Sequence, residues 1–155
     1  MVKVTDILNS LMLNIDSIYP SYNNYMGKLP EKADYPCFLY YIGLQSHKLN
    51  SFYTQKVTLN IDIVYFNTRD AYNTEDYFDK LNVINELEEK FLSKYSLEVN
   101  KRNLSFDYDS NESDGQMLIN LKFNFYDLTN VEMQEQYEEI QEIMLNTKID
   151  RKEMI

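Results

Sequence analysis

Two stretches of strict alternation, Val57–Phe66 and Met117–Asp127, limit what this chain can fold into more than any other feature. In the first, Val57, Leu59, Ile61, Ile63 and Tyr65 fall on one side, and Thr58, Asn60 and Asp62 on the other. In the second, Met117, Ile119, Leu121, Phe123 and Phe125 share a side, opposite Asn120, Lys122 and Asn124. Side chains of a strand alternate with period 2, so each stretch is a ribbon with one apolar and one polar face. Ribbons of this kind belong to antiparallel sheets that bury one face under helices and leave the other open.

The helices to cover that face are written at the three- and four-residue spacing of an apolar stripe. Thr5–Tyr19 carries Ile7, Leu8, Leu11, Met12, Ile15 and Ile18, with Thr5 as the expected N-cap and Pro20 as the stop. Thr74–Lys94 carries Tyr77, Phe78, Leu81, Ile84, Leu87, Phe91 and Leu92, with Asn73 or Thr74 as its cap. Acids load its first turns and Lys90 and Lys94 its last, as the helix dipole favours. Thr129 and Glu132 form a capping box that opens a third helix to about Asn146. Its seam, Met133, Tyr137, Ile140 and Met144, is narrow, and packs either on its own sheet or on an adjacent molecule.

The remaining strands are less regular. Ser21–Met26 reads as a short edge strand, and Cys37–Leu44 as a strand apolar on both faces. A strand of the second kind sits mid-sheet or against a neighbouring subunit. Gln45–Gln55 is polar and reads as the tip of a long hairpin. Leu97–Tyr108 changes parity partway, which predicts a bulge near Lys101–Asn103. Asp109–Gly115 reads as a turn. The expected architecture is α+β: a mostly antiparallel four- to five-stranded sheet packed by two helices, plus a C-terminal helix. Residues 1–146 are expected to form a single domain, with 147–155 as a tail.

Composition excludes several functions. The 155 residues carry 25 acids against 15 bases, a net charge of −10. A reader of nucleic-acid sequence needs a clustered basic footprint, which is absent here. A single cysteine, Cys37, excludes an intrachain disulfide and fits a reducing compartment. Asn9, Asn14 and Asp16 interrupt any apolar core of a signal peptide, and the longest apolar run is too short to span a bilayer. The chain is therefore expected to be soluble, with no membrane partner. Fourteen tyrosines and eight phenylalanines reflect either biased codon usage or an adhesive surface, since Tyr is enriched at protein interfaces.

The search for chemistry yields no catalytic site, no metal site and no cofactor. A Cys37–His47 nucleophile pair would be separated by roughly 33 Å along an extended strand. One Cys and one His do not make a zinc site. The acidic run from Asp107 to Gly115 imitates a calcium loop, but Glu112 stands where glycine is needed and Leu118 where a bidentate Glu is needed. No phosphate-cradling glycine motif and no nucleophile elbow occurs. Glu86, Glu88 and Glu89 read as solvated carboxylates.

The chain does resemble a known family. Val4-Thr5-Asp6-Ile7 in the first helix, Asp34-Tyr35-Pro36-Cys37-Phe38-Leu39 leading into a strand, and the Val57–Tyr65 ribbon carry the likeness. So do Asp114-Gly115-Gln116-Met117-Leu118 at a turn, and Phe123-Asn124-Phe125-Tyr126. These stretches are similar to the tail terminator, or tail-completion, proteins of Gram-positive phages and phage-tail-like (R-type) bacteriocins. The resemblance spans about residues 1–146. It implies a subunit that is not an enzyme, assembled in the bacterial cytoplasm into the tail of a virion or bacteriocin. Such subunits close as a homo-oligomeric, hexameric ring on the end of the tail tube and stop polymerisation. The implied partners are the tube protein, the sheath protein if the tail contracts, and a head connector or collar protein. The expected contact residues are Phe38, Tyr40, Tyr41, Ile42, Lys48, Phe52 and Tyr53 around the doubly apolar strand and hairpin. Met133, Tyr137, Ile140 and Met144 join them from the third helix. Another tail or baseplate assembly protein, such as a sheath initiator, and a small enzyme using Asp62 or Asp107 are the alternatives.

Overall fold

The computed structural model describes residues 2–68, 76–113 and 115–129. The chain runs α1 (Val4–Ile18), β1 (Asn23–Met26), β2 (Cys37–Leu49), β3 (Thr54–Phe66) and α2 (Tyr77–Lys90). A 3-10 turn, Leu92–Lys94, leads to β4 (Ser96–Val99), β5 (Arg102–Ser113) and β6 (Gln116–Leu128). The six strands form one mixed sheet in the order β1-β2-β3-β6-β5-β4. β1 lies parallel to β2 and every other neighbour is antiparallel. The sheet thus has more strands than the four to five expected, and the expected C-terminal helix lies outside the described residues.

The two ribbons are its spine. β3 and β6 pair from Thr54↔Leu128 to Tyr65↔Met117, so their apolar sets share one face. Ile7, Leu11 and Ile15 of α1 and Val83, Ile84 and Leu87 of α2 bury that face together with Leu59, Ile61, Leu121 and Phe123. Each such side chain fully withdrawn from water contributes roughly 1.5–3 kcal/mol before entropy is counted.

The helix starts differ from expectation. α1 begins after Lys3 rather than Thr5, because the Asp6 carboxylate accepts the Lys3 N–H at 3.2 Å and holds the earlier turn. α2 is capped by Asp76, not Asn73 or Thr74; its carboxylate accepts from the N–H groups of Phe78 (3.0 Å) and Asp79 (3.3 Å). That cap leaves Tyr77 and Phe78 exposed, although the stripe placed them inside. The buried position of this turn goes instead to Lys80, whose Nζ donates to the Gly115 carbonyl.

Three connections are tighter than the sequence predicts. The β2–β3 strands run on through the expected tip, leaving Asn50–Tyr53 as the turn, closed by Asn50 and Ser51 N–H groups on Thr54 O at 3.0 and 3.1 Å. β5 and β6 pair as far as Ser113↔Gln116, so strand runs through most of the expected turn at Asp109–Gly115, and Gly115 stands at φ +75°. The parity change in Leu97–Tyr108 is a hairpin and not a bulge: Asn100 and Lys101 both have positive φ (51° and 65°), and Val99 faces Arg102. Two residues at positive φ are what a tight hairpin turn requires.

A true bulge occurs in β2. Ile42 faces Ile61 and Leu44 faces Asn60, so Gly43 is the extra residue. A Cβ there would lie 2.7 Å from Asp62 Oδ2, which explains the glycine. At the far end of β6, Asp127 is almost fully buried and gathers three donors: Val2 N–H at 2.7 Å, Leu128 N–H at 2.9 Å and Arg102 Nη1 at 3.3 Å. Arg102 also donates to the Tyr126 carbonyl and lies over the Phe125 ring, 5.5 Å from its centroid. One carboxylate therefore ties the chain's start and the first residue of β5 to the end of β6.

Candidate assembly interface

The sheet face away from the helices is laid out in rows fixed by register. At one end Cys37, Val64 and Phe66 form a small second core, covered by Tyr25, Leu29, Leu39, Tyr41 and Leu118. This explains why the start of β2 is apolar on both faces: the segment between β1 and β2 folds back over it. The next rows are polar. Asn120 Nδ2 donates to Asp62 Oδ1 at 2.6 Å, Lys122 pairs with Asp109 at 3.3 Å, and Thr58 donates to Asn124 at 2.9 Å. A row close to the hairpin turn sets Lys48 directly opposite Lys56, beside Tyr126. Neither lysine has an acidic partner among the described residues.

Among the described residues, two strand edges are bare. β1 covers β2 only as far as Tyr40, whose carbonyl takes the Gly27 N–H at 2.8 Å, so among the described residues Tyr41–Leu49 has no strand on its outer side. β4 covers β5 only through Ser105, and Tyr95 O takes the Phe106 N–H at 3.0 Å, so Asp107–Ser113 is equally bare. Ile42, Leu44, Leu49, Tyr126 and Leu128 are each 40% exposed or more, and all lie in the half of the sheet nearest the hairpin turn.

The candidate contact residues divide on this framework. Phe38 and Tyr40 point into the chain's own core, at 0% and 1% exposure, because their parity matches Tyr65 and Ile63. Tyr41 is half-buried on the opposite face, while Ile42 and Lys48 are exposed on the bare edge. Phe52 and Tyr53 form the turn, where their carbonyls accept from Thr129 Oγ1 (3.4 Å) and Thr129 N–H (2.9 Å). Met133, Tyr137, Ile140 and Met144 lie outside the described residues. Sequence reasoning missed the bare edge of β5. The signal was present: Asp107, Asp109 and Asn111 alternate with Phe106 and Tyr108 right up to an Asp-Gly turn.

The groups weighed for chemistry are dispersed. Cys37 and His47 sit on the same strand, and burial pushes the Cys37 thiol up to about 11, which keeps it protonated. His47 is exposed and contacts Gln45 Nε2 at 3.1 Å. The imitation calcium loop is strand through Ser113, which strings Asp107 and Asp109 along one face and sets Glu112 on the other, so these acids do not wrap around a common centre. Among the described residues no cluster of His, Cys, Asp and Glu could hold a metal. Glu86 is held by Lys90 at 2.6 Å and by the Tyr19 hydroxyl at 2.6 Å, which together lower its pKa. An open groove of about 700 Å³ beside α1 is lined by Asn9, Met12, Leu13, Asp16 and Tyr22, and its lining brings no Ser, Cys, His or Lys beside the lone carboxylate.

The class of protein defined by this fold and these surfaces is an α+β subunit that offers an open sheet face and bare strand edges. The chain belongs to the phage tail terminator protein family, whose model matches residues 6–136. This bears out the resemblance carried by the helix, strand and turn stretches, and it gives the protein a structural role in phage tail assembly. The family is one of structural proteins that interact with other tail components, and its place in the virion fits a chain whose described helices are not long and apolar enough to cross a membrane. Nothing among curated proteins matches the sequence. One solved structure, 9% identical, covers 83% of this chain and 96% of its own with a TM-score of 0.46, too distant to carry an argument.

Proposed function

We propose that copies of this chain close as a ring on the end of a growing tail tube and end its polymerisation. The ring then offers a surface to a head connector or collar, and in a contractile tail to the last sheath subunits. Family membership across residues 6–136 carries this reading. The bare edges at Tyr41–Leu49 and Asp107–Ser113 support it, since a closed ring needs two different surfaces on each subunit. Ile42, Lys48, Phe52 and Tyr53, with Met133, Tyr137, Ile140 and Met144, are the contact residues of this reading. The net charge of −10 suits a ring through which nucleic acid slides without sticking.

Asp62 and Asp107 do not favour a small carboxylate enzyme, because both lie on the open sheet face rather than in an enclosed cavity. The test is electron microscopy of particles made without this gene. Tails of uncontrolled length are expected; tails of normal length would refute the proposal.

A further inference from the structure

We infer that the bare edge of β2, Leu44–Leu49, pairs antiparallel with the bare edge of β5, Asp107–Ser113, of a second copy of this chain. The sheet then continues from subunit to subunit. The inference rests on the ring reading and names its contact.

Strand direction supplies the first argument. Between the two edges the order is β2-β3-β6-β5, with every neighbour antiparallel, so β5 runs opposite to β2. A copy with its strands in the same sense, displaced along them by about four residues (roughly 13 Å) so that Asp107 moves from the level of Leu44 to that of Lys48, therefore brings an antiparallel β2 against β5. This is the arrangement in which side chains on the open face of one edge meet those of the other.

Charge supplies the second. The outward residues of the β2 edge are Leu44, Ser46 and Lys48, and Lys48 sits directly opposite Lys56. Like charges directly opposed across a ladder are destabilising, and no acid relieves them among the described residues. On the β5 edge, Asp107 and Asp109 point outward on the same face; Asp109 has Lys122, and Asp107 has no ion pair among the described residues. Pairing β2 with β2 would crowd four lysines, and pairing β5 with β5 would crowd four carboxylates. Only the mixed pairing sets Lys48 against Asp107, with Asp109 on the diagonal. Lysine on a bare edge commonly guards against wrong partners, and here it does so while still admitting an acidic strand. A contact between two different edges is the heterologous kind that closes rings.

The test uses engineered cysteines in the full-length protein. Cys37 is fully buried and stays silent, so the added thiols report alone. Lys48→Cys is combined with Asp107→Cys, and separately with Asp109→Cys to cover the neighbouring register. Mild oxidation is applied to the purified protein and to isolated tails. A disulfide needs the two Cα atoms within about 7 Å, so only paired edges link. The expected result is a ladder of multimers from at least one double variant and no ladder from the single variants. Lys48→Glu should weaken self-association or retention on tails about fivefold, and Asp107→Lys added to it should restore binding.

Purified oligomers or tail-bound protein that give no ladder with either pair overturn the inference. So does a Lys48→Cys single variant that links efficiently to itself, since that places β2 against β2. A protein that is monomeric in solution and also fails to ladder on tails overturns it equally. Loss of tail-length control without the gene, together with no ladder, leaves the terminator reading standing and this pairing refuted. A ladder from particles whose tail length ignores the gene does the reverse.

Discussion

Replacing Asp127 tests whether one buried carboxylate holds the end of β6 in place. It receives the Val2 N–H, the Leu128 N–H and the Arg102 guanidinium, and its side chain is only 4% exposed. Asp127→Ala removes all three bonds. The two backbone donors lose partners in a partly buried site, where an orphaned group costs about 1–3 kcal/mol. Arg102 costs less, because its side chain is 41% exposed and regains water, and exposed pairs are worth about 0.2–1 kcal/mol. The sum is a loss of at least about 2 kcal/mol. Asp127→Asn keeps one carbonyl acceptor and forfeits only the charge-assisted part, about 1–2 kcal/mol. The assay is urea unfolding of both variants, with the midpoints converted at constant slope. Adding Arg102→Ala to each closes a double-mutant cycle, with an expected coupling below about 1 kcal/mol. An Asp127→Ala variant within about 0.5 kcal/mol of the parent, the usual effect of a surface change, would refute the reasoning.

Two further outcomes are expected. Burial first, then the neighbouring Asp16 or the Asp79 hydrogen bond, raises the phenols of Tyr40 and Tyr65 above the ordinary 10.0. The unfolded chain thus releases these protons first, and stability present below pH 10 falls as pH rises past it, by about 1.4 kcal/mol per unit for each ring. Urea midpoints measured from about pH 9 to about pH 11 should drop less in the Tyr40→Phe/Tyr65→Phe variant, and equal slopes would count against the assignment. Gly43→Ala drives a methyl to 2.7 Å from Asp62 Oδ2 and should cost about 1–3 kcal/mol; the same change in an Asp62→Ala background should be close to neutral. Equal costs in both backgrounds would place the strain elsewhere.

What could be read from the chain in advance follows from how local each signal is. The β3 and β6 ribbons alternate without a break, and one buried face enforces that pattern, so their strand character and buried sides were visible from parity, while their pairing with each other was not. The buried part of α1 was visible for the same reason. Tyr77 and Phe78 misled because aromatic residues at the start of a stripe resemble core, whereas the cap that sets the helix start is Asp76, one residue before them. Asn100-Lys101 hid a hairpin because neither residue is glycine, yet both adopt positive φ. The strand count fell short for that reason, since β4 and β5 read as one strand. The bare edge of β5 depends on where β4 stops, a fact about pairing between segments that no single stretch of sequence contains.

The glycine bulge in β2 has a geometric consequence of its own. Because Gly43 is the surplus residue between Ile42↔Ile61 and Leu44↔Asn60, deleting it would leave every cross-strand neighbour in place and remove the local bend and extra twist. With sheets joined edge to edge, that bend feeds into the angle between adjacent copies. If copies close as the ring proposed above, excising this single atom-poor residue would change how many of them complete a circle, while leaving the chemistry of each seam as it was.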